Sequence, residues 1–479
     1  MTNQYINDNF LLTSSLAQHL YHSYAKAMPI IDYHNHLEAK EIWEDYSLDN
    51  IAQCWLHSDH YLWRAMRSNG VDEHYITGDA SDREKFEKWC ETAPYILGNP
   101  LYQWCHLELK RFFNSPLLLN CTNSDAIWAQ SQSELASGKL SARQVLKQCQ
   151  VATLCTTDSP LSDLKYHQLL ASSDFNVAVL PTFRADDLFA FNNAEHFAKT
   201  LNALERLTSG NITNLDDFLN AIQSRIEAFH NAGCRLSDLG LTVVEFAPCT
   251  HNQATTIFDK IRRKQVVEDS EVVQIKSYLF NELGRSYHAR GWAMQLHIGV
   301  LVNVNERRKH ALGGGTGFSV MNDRLIAENL VQLLSALDSS SQLPKTVLYS
   351  LNPNHNPILS CIAGAFQDSD TANGKIQFGA AWWFNDHKDG MEAQLTTLKN
   401  LGALGRFIGM LTDSRNIFSM SRHEYFRRVL CNQLAQWVEG GELPNDEMLL
   451  RKTVENICFN NAQSYFNFPQ SSDLKGNVQ

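Results

Sequence analysis

Two histidines two residues apart, His34 and His36, close the short apolar run Ile30-Ile31-Asp32-Tyr33. Side chains in a strand alternate faces, so residues i and i+2 point the same way. A strand here would send both imidazoles from its C-terminal end toward one point. Neutral imidazoles that converge in this way suit a divalent transition metal such as zinc. Alone, such a pair is more often two partly exposed histidines on a strand or loop. Its weight depends on partners elsewhere in the chain.

The elements that would position such partners form a regular series. Strand-like runs fall at 29–34, 151–156, 177–182, 233–238, 293–298, 345–350, 375–380 and 406–412. Several are near-continuous apolar runs, as expected of parallel strands buried on both faces. Helical periodicity lies between them, at 215–230, 271–290 and 323–338. Eight strands alternating with helices predict an α/β fold, a (β/α)8 barrel of the TIM type. Strands one and two are separated by more than a hundred residues, too many for a simple loop. The expected organisation is a barrel with C-terminal helices over 1–36 and 150–479, and an inserted α-helical subdomain over 37–149. The polar end, 471–479, is expected to fray.

Barrel enzymes build their sites at the C-terminal ends of the strands. Strand one ends in His34 and His36, strand three in Arg184, strand five in His297, and strand eight in Asp413-Ser414-Arg415. Three histidines and an aspartate at strand ends make a plausible set of nitrogen and oxygen ligands. Taken singly, Asp413 reads as a helix N-cap and His297 as a hydrogen-bonded core histidine. Together they are harder to dismiss. The run Gly313-Gly314-Gly315-Thr316-Gly317 lacks the Lys-Ser/Thr ending of a phosphate loop and reads as a mobile lid or a plain turn. Asn305 and Arg307 precede it and are further candidates for the pocket wall.

Composition narrows the function. The 479 residues are 44% hydrophobic and 19% charged, ordinary for a globular protein. A net charge of −11 with no basic block argues against nucleic acid and against anionic membrane surfaces. Eleven scattered cysteines with no C-x-x-C pair read as reduced thiols of a cytoplasmic protein. Met1–Phe10 has no apolar core, so no signal peptide is expected, and no run is long enough to span a membrane.

Longer strings carry a more specific signal. They are Asp32-Tyr33-His34-Asn35-His36-Leu37, Asp59-His60-Tyr61-Leu62-Trp63-Arg64-Ala65-Met66-Arg67, Gly78 to Phe86, and Gly98-Asn99-Pro100-Leu101-Tyr102. Trp382-Trp383-Phe384-Asn385-Asp386, Gly409-Met410-Leu411-Thr412-Asp413-Ser414-Arg415, His423-Glu424-Tyr425-Phe426-Arg427-Arg428 and Asn456 to Ala462 continue the series. With these, the chain resembles the uronate isomerases, the glucuronate isomerase family within the amidohydrolase superfamily, nearly end to end. Two departures stand out. Asn35 occupies a position where family members often carry Cys, and Asn352-Pro353-Asn354-His355-Asn356 replaces a more usual Arg-Asp version.

The resemblance implies a metal-dependent-hydrolase type of barrel and an aldose–ketose isomerisation. D-glucuronate would interconvert with D-fructuronate, and D-galacturonate with D-tagaturonate, by hydrogen transfer from C2 to C1 through a cis-enediol. It implies one divalent metal, zinc first and manganese or another divalent ion otherwise, held by His34, His36 and Asp413 with His297 beside it. Tyr61 is the leading base for C2, its phenol lowered by Arg415. Asp413 would shuttle protons during ring opening. His60 would bond substrate hydroxyls, His297 would be a further metal ligand or a substrate hydrogen-bond partner, Arg184 would clamp the carboxylate with Arg415 also binding substrate, and Trp382 or Trp383 would face the sugar. A small-molecule hexuronate is the expected partner, and a homo-oligomer the expected assembly.

Two other classes compete. A hydrolase or decarboxylase of the same superfamily would often use a strand-four lysine to bridge two metals, and Gly233 to Asp238 offers none. A non-catalytic barrel that binds acidic sugars would have no need of Tyr61, Asp413 and Arg415 together.

Overall fold

The computed structural model describes residues 5–369 and 374–469, so the expected frayed tail at 471–479 lies outside the described residues. Among the described residues there are ten strands: β1 (Ile30–Asp32), β2 (Val151–Cys155), β3 (Ala178–Leu180), β4 (Phe183–Arg184), β5 (Leu236–Leu241), β6 (Ala293–Ile298), β7 (Val300–Leu301), β8 (Val320–Met321), β9 (Lys345–Ser350) and β10 (Ile376–Phe378). β1, β2 and β3 form one parallel sheet, and β4, β5, β6, β9 and β10 another. β3 and β4 are one strand interrupted by Pro181-Thr182, where proline has no N–H to give the ladder. A bridge between Asp158 and Phe183 links the two sheets. β7 and β8 form a small antiparallel hairpin above β6.

The order is that of a (β/α)8 barrel, with two corrections to the expected strands. The fourth lies at 236–241, three residues later than expected, because the ladder runs on through Gly240. The eighth stretch, 406–412, forms no ladder strand. Gly409 has φ 82°, and a Cβ there would collide with the Ile457 carbonyl oxygen, so the backbone turns too sharply for regular pairing. Among the described residues no ladder joins β10 to 407–412. Other bonds tie this segment to β1. Asp413 N–H donates to the His34 carbonyl at 3.0 Å, and His36 N–H to the Ser414 carbonyl at 2.9 Å.

Asp32 does most of the tying. Its fully buried carboxylate accepts from Thr412 N–H and Thr412 Oγ1, both at 2.7 Å, and lies 3.2 Å from His423 Nε2. Asn35 Nδ2 also donates to it at 3.1 Å, which turns Asn35 away from the two histidines as its place between them predicts. β1 is thereby joined to the eighth segment and to helix Ser421–Glu439.

Seven helices occupy the stretch between β1 and β2, among them His60–Ser68, Asp82–Thr92 and Pro100–Phe112. Their ends carry the expected signals. Ser81 and Glu84 form a capping box, and Asn99 caps a helix that starts with Pro100. Trp55, Phe86, Trp89 and Leu107 from this stretch belong to the same contiguous core as Ile31, Leu296 and Leu348 of the strands. All eleven cysteines are free thiols. No helix among the described residues is long and apolar enough to cross a membrane.

Candidate active site

A cavity of about 480 Å3 opens at the C-terminal strand ends, within the range typical of small-molecule sites. Its wall includes His34, His36, His60, Arg184, His297, Trp382, Trp383, Asp413 and Arg415. The catalytic, substrate and metal candidates read from the sequence are therefore on it, with the exception of Tyr61. That side chain lines a much smaller adjoining space with Asp59, His60, Asp413, Arg415 and Arg422. Asn305 and Arg307 are absent from the wall. Asn305 caps helix Glu306–Leu312, and its neighbour Asn303 faces the cavity. The loop 352–356 is also elsewhere, where Asn352 Nδ2 donates to Asp323 at 2.7 Å.

The histidines and Asp413 meet as the strand geometry predicts. Asp413 Oδ1 lies 3.0 Å from His36 Nε2 and 3.3 Å from His34 Nε2, while Trp382 Nε1 donates to Oδ2 at 2.8 Å. Trp382 thus orients Asp413 as well as lining the cavity. Asp413 itself has φ 46°, a left-handed conformation that a non-glycine residue holds only when its surroundings compel it. The backbone bond to His34 and the Trp382 indole are two such constraints.

His297 belongs to a second cluster that the sequence did not disclose. Its Nδ1 lies 2.6 Å from Asp238 Oδ1, and Arg184 Nη1 lies 3.1 Å from Asp238 Oδ2. Arg184 Nε also pairs with Asp186 at 3.1 Å. Arg184 is therefore engaged by two carboxylates. Gly240 makes room for this arrangement, since a Cβ there would approach Asp186 Oδ1 at 3.0 Å. Arg415 has no ion-pair partner among the described residues and is exposed at the cavity. Asp238 and Asp186 were missed because their roles come from partners on neighbouring strands, His297 and Arg184. Inward alternation carried on to Gly240 would have placed Asp238 on the inner face.

Two overlapping sets of side chains bring ligand atoms within 4.8 Å of one another: His34, His36, Asp413 and His34, Asp238, His297. His34 Nδ1 and His297 Nε2 are buried and lack hydrogen-bond partners. Buried polar atoms are seldom left unpaired, and unpaired imidazole nitrogens beside carboxylates are what a divalent ion requires. The donor set fits a divalent metal.

The electrostatics agree for His36 and His297, and His34 is held by its carboxylate neighbours. Burial alone would push the His34 imidazole down, but Asp238 and Asp413 outweigh it and favour positive charge. His36 is pushed down to about 4, chiefly by burial, and His297 is lowered for the same reason. Both are thus neutral, as ligands must be. Burial would raise Asp413, but its bonds to His34 and His36 hold it well below the usual carboxylate range. Asp186 is raised to about 6, first by burial.

Tyr61 departs from expectation. Burial and the charge of Asp413 push its phenol well above the ordinary value of 10.0. The cation that opposes them is Arg422, not Arg415. Arg422 is buried, stacks 4.0 Å over the Trp104 ring, and lies 3.5 Å from Asp386. The glycine-rich run supplies the roof: Gly315 and Gly317 line the cavity, and Arg67 Nη1 holds the Thr316 carbonyl at 2.6 Å. This ties the roof to helix His60–Ser68.

Known proteins share this architecture. Residues 1–466 match the family model for glucuronate isomerase. The uronate isomerase of Bacillus licheniformis is 47% identical over 471 residues, which span 98% of this chain and 99% of that protein. The uronate isomerase of Bacillus subtilis is 47% identical over 476 residues, 99% of each chain. The crystal structure of uronate isomerase from Thermotoga maritima superposes with a TM-score of 0.91 at 33% identity, covering 96% of this chain and 99% of that one.

Proposed function

The chain belongs to the glucuronate isomerase family, and on that premise we propose that its cavity interconverts D-glucuronate with D-fructuronate and D-galacturonate with D-tagaturonate. The observation that carries this reading is the convergence of His34, His36, Asp413 and His297 on one cavity that also bears Arg184 and Arg415. Metal ligands face one part of the substrate, and guanidinium groups meet its carboxylate.

His34, His36 and Asp413 would hold the metal, with His297 beside them. Zinc is our first choice and manganese the second, on the mixed nitrogen and oxygen donors. When bound, the ion supplies a Lewis acid for the carbonyl and hydroxyl oxygens at C1 and C2. The rest falls to the protein. Asp238 accepts from His297 Nδ1, so Nε2 keeps its lone pair for the site. His60, lowered by burial, stands as a neutral partner for sugar hydroxyls. Arg415, exposed and unpaired, is the readier clamp for the carboxylate, and Arg184 the more constrained one. Trp383, 5.0 Å from the His60 ring, offers an apolar surface to the sugar.

Tyr61 handles the C2 proton in this scheme, taking it from carbon and returning it at C1. Asp413 is the second cause of its high pKa, and that charge is cancelled when Asp413 serves as a ligand. Arg422 then favours the phenolate. Asp413 moves protons between O1 and O5 during ring opening. Residues 37–149 form the inserted α-helical subdomain that brings His60 and Tyr61 to the barrel, over 1–36 and 150–479. A cytoplasmic homo-oligomer completes the proposal.

The test is incubation of metal-assayed protein with each uronate in D2O, followed by NMR. Ketose should appear from either substrate. Absence of ketose from both, with metal present, overturns the reading.

A further inference from the structure

A second cavity lies at the opposite end of the barrel. It holds about 350 Å3 and is walled by Ile30 at the start of β1, Gln150 just before β2, and residues of four separate segments. Four cationic side chains line it, Lys26, Arg111, Arg427 and Arg428, against two carboxylates, Asp8 and Glu424. The string 423–428, which the active site does not use, supplies half of these charges.

The two carboxylates do not neutralise the site. Glu424 is held by Arg111 at 2.7 and 2.8 Å and by Arg428 Nε at 2.9 Å. Among the described residues Arg427 donates only to main-chain carbonyls, those of Ala25, Met28, Pro29 and Cys458. Arg428 spends its Nη1 on the carbonyls of Asp8 and Phe10. Carbonyl dipoles satisfy hydrogen bonds without cancelling a charge, so the cavity keeps a surplus of two positive charges in a chain of net charge −11. His22, on the same wall, reports this field: burial first, then Arg428 and Lys26, lower its pKa against the pull of Asp8 and Glu424.

An independent observation points to a ligand. Ser421 lines this cavity, is 5% exposed, and its Oγ is buried without a hydrogen-bond partner. A buried hydroxyl left unpaired is uncommon, and a donor beside surplus positive charge is matched by an oxyanion.

We propose that this cavity is a binding site for a small dianion of the phosphate class, held by Lys26, Arg111, Arg428 and the Ser421 hydroxyl. Such an anion would join the N-terminal segment, the helix Pro100–Phe112, the helix Ser421–Glu439 and the base of β1, so it would stabilise the folded chain by mass action. Free phosphate and a phosphate monoester share the required chemistry.

The test is calorimetric titration of the metal-loaded protein with inorganic phosphate, and separately with glycerol phosphate, at fixed ionic strength with chloride as the balancing anion. Saturable binding at one site is expected, with affinity reduced at least tenfold in Lys26→Glu and severalfold in Ser421→Ala. Isomerase activity of Lys26→Glu should match wild type, which shows that the variant is folded. Arg184→Ala should bind phosphate as wild type does, because its guanidinium lies at the other end of the barrel. Tighter binding of the ester identifies a metabolite site, and equal binding a site for free phosphate. Unsaturable binding, unchanged affinity in Lys26→Glu, or loss of binding in Arg184→Ala would each overturn the proposal.

Discussion

The two ends of the barrel treat buried polar groups in opposite ways. At the mouth, His34 Nδ1, His297 Nε2 and Trp383 Nε1 are buried without partners, and Asp413 is held at a positive φ. At the base, Arg427 alone reaches four carbonyls, and Arg428 bonds Glu424 and two more while covering the Tyr21 ring at 4.2 Å. Unpaired donors and acceptors cost stability, so a fold tolerates them where a ligand will pair them. Saturated networks hold the chain together. Ser421 is the unpaired exception at the base, and it is the residue on which the anion site turns.

That contrast can be broken by substitution at each end. Asp413→Asn should cost the most in activity: a fall of about a thousandfold or more in kcat/KM, with metal lost on dialysis, and little change in thermal midpoint. A variant that kept metal and rate would remove Asp413 from the machinery. Arg427→Met should do the reverse. It strands buried carbonyls and removes a buried cation, so a loss of about 3–5 kcal/mol in denaturant unfolding is expected, with unchanged turnover per folded molecule. An equal loss of turnover would show that the ends are not separable.

Asp238→Asn sharpens the comparison within the mouth. Asp238 touches His297 and Arg184 but is not on the cavity wall. As a positioning residue it should weaken metal affinity about 10–100-fold and raise KM more than it lowers kcat. A pure fall in kcat, with metal and KM intact, would give it a direct chemical role instead.

What the sequence disclosed divides along the same line. Periodicity and strand-end residues located seven strands and brought His34, His36, His297 and Asp413 to one mouth, because each is a local property of its own strand. Asp238 stayed hidden because its partners His297 and Arg184 lie on neighbouring strands, so its role exists only in the assembled sheet. The eighth segment was misread as a ladder strand because the positive φ of Gly409, and the close approach of the Ile457 carbonyl to it, are not visible in the apolar pattern. The countercharge of Tyr61 was assigned to Arg415, two residues after Asp413 in the same motif, whereas Arg422 arrives on a helix whose placement depends on Asp32 and His423.

Between the two ends lies a buried acid that obeys neither rule fully. Glu108 is 3% exposed, accepts from Trp55 Nε1 at 2.6 Å, and is raised to about 7, chiefly by burial. A carboxyl with a folded pKa above its unfolded value binds its proton more tightly when folded. Its contribution to stability is therefore complete below about pH 4.5 and is lost as pH rises through about 7. Glu108→Gln keeps an acceptor for Trp55 and cannot ionise. Its stability should gain on wild type by up to roughly 3 kcal/mol between pH 4.5 and 8, read by urea unfolding at several pH values. A constant difference across that range would mean that Glu108 stays ionised, and that Arg422 and Asn416 pair it as completely as the base pairs Glu424.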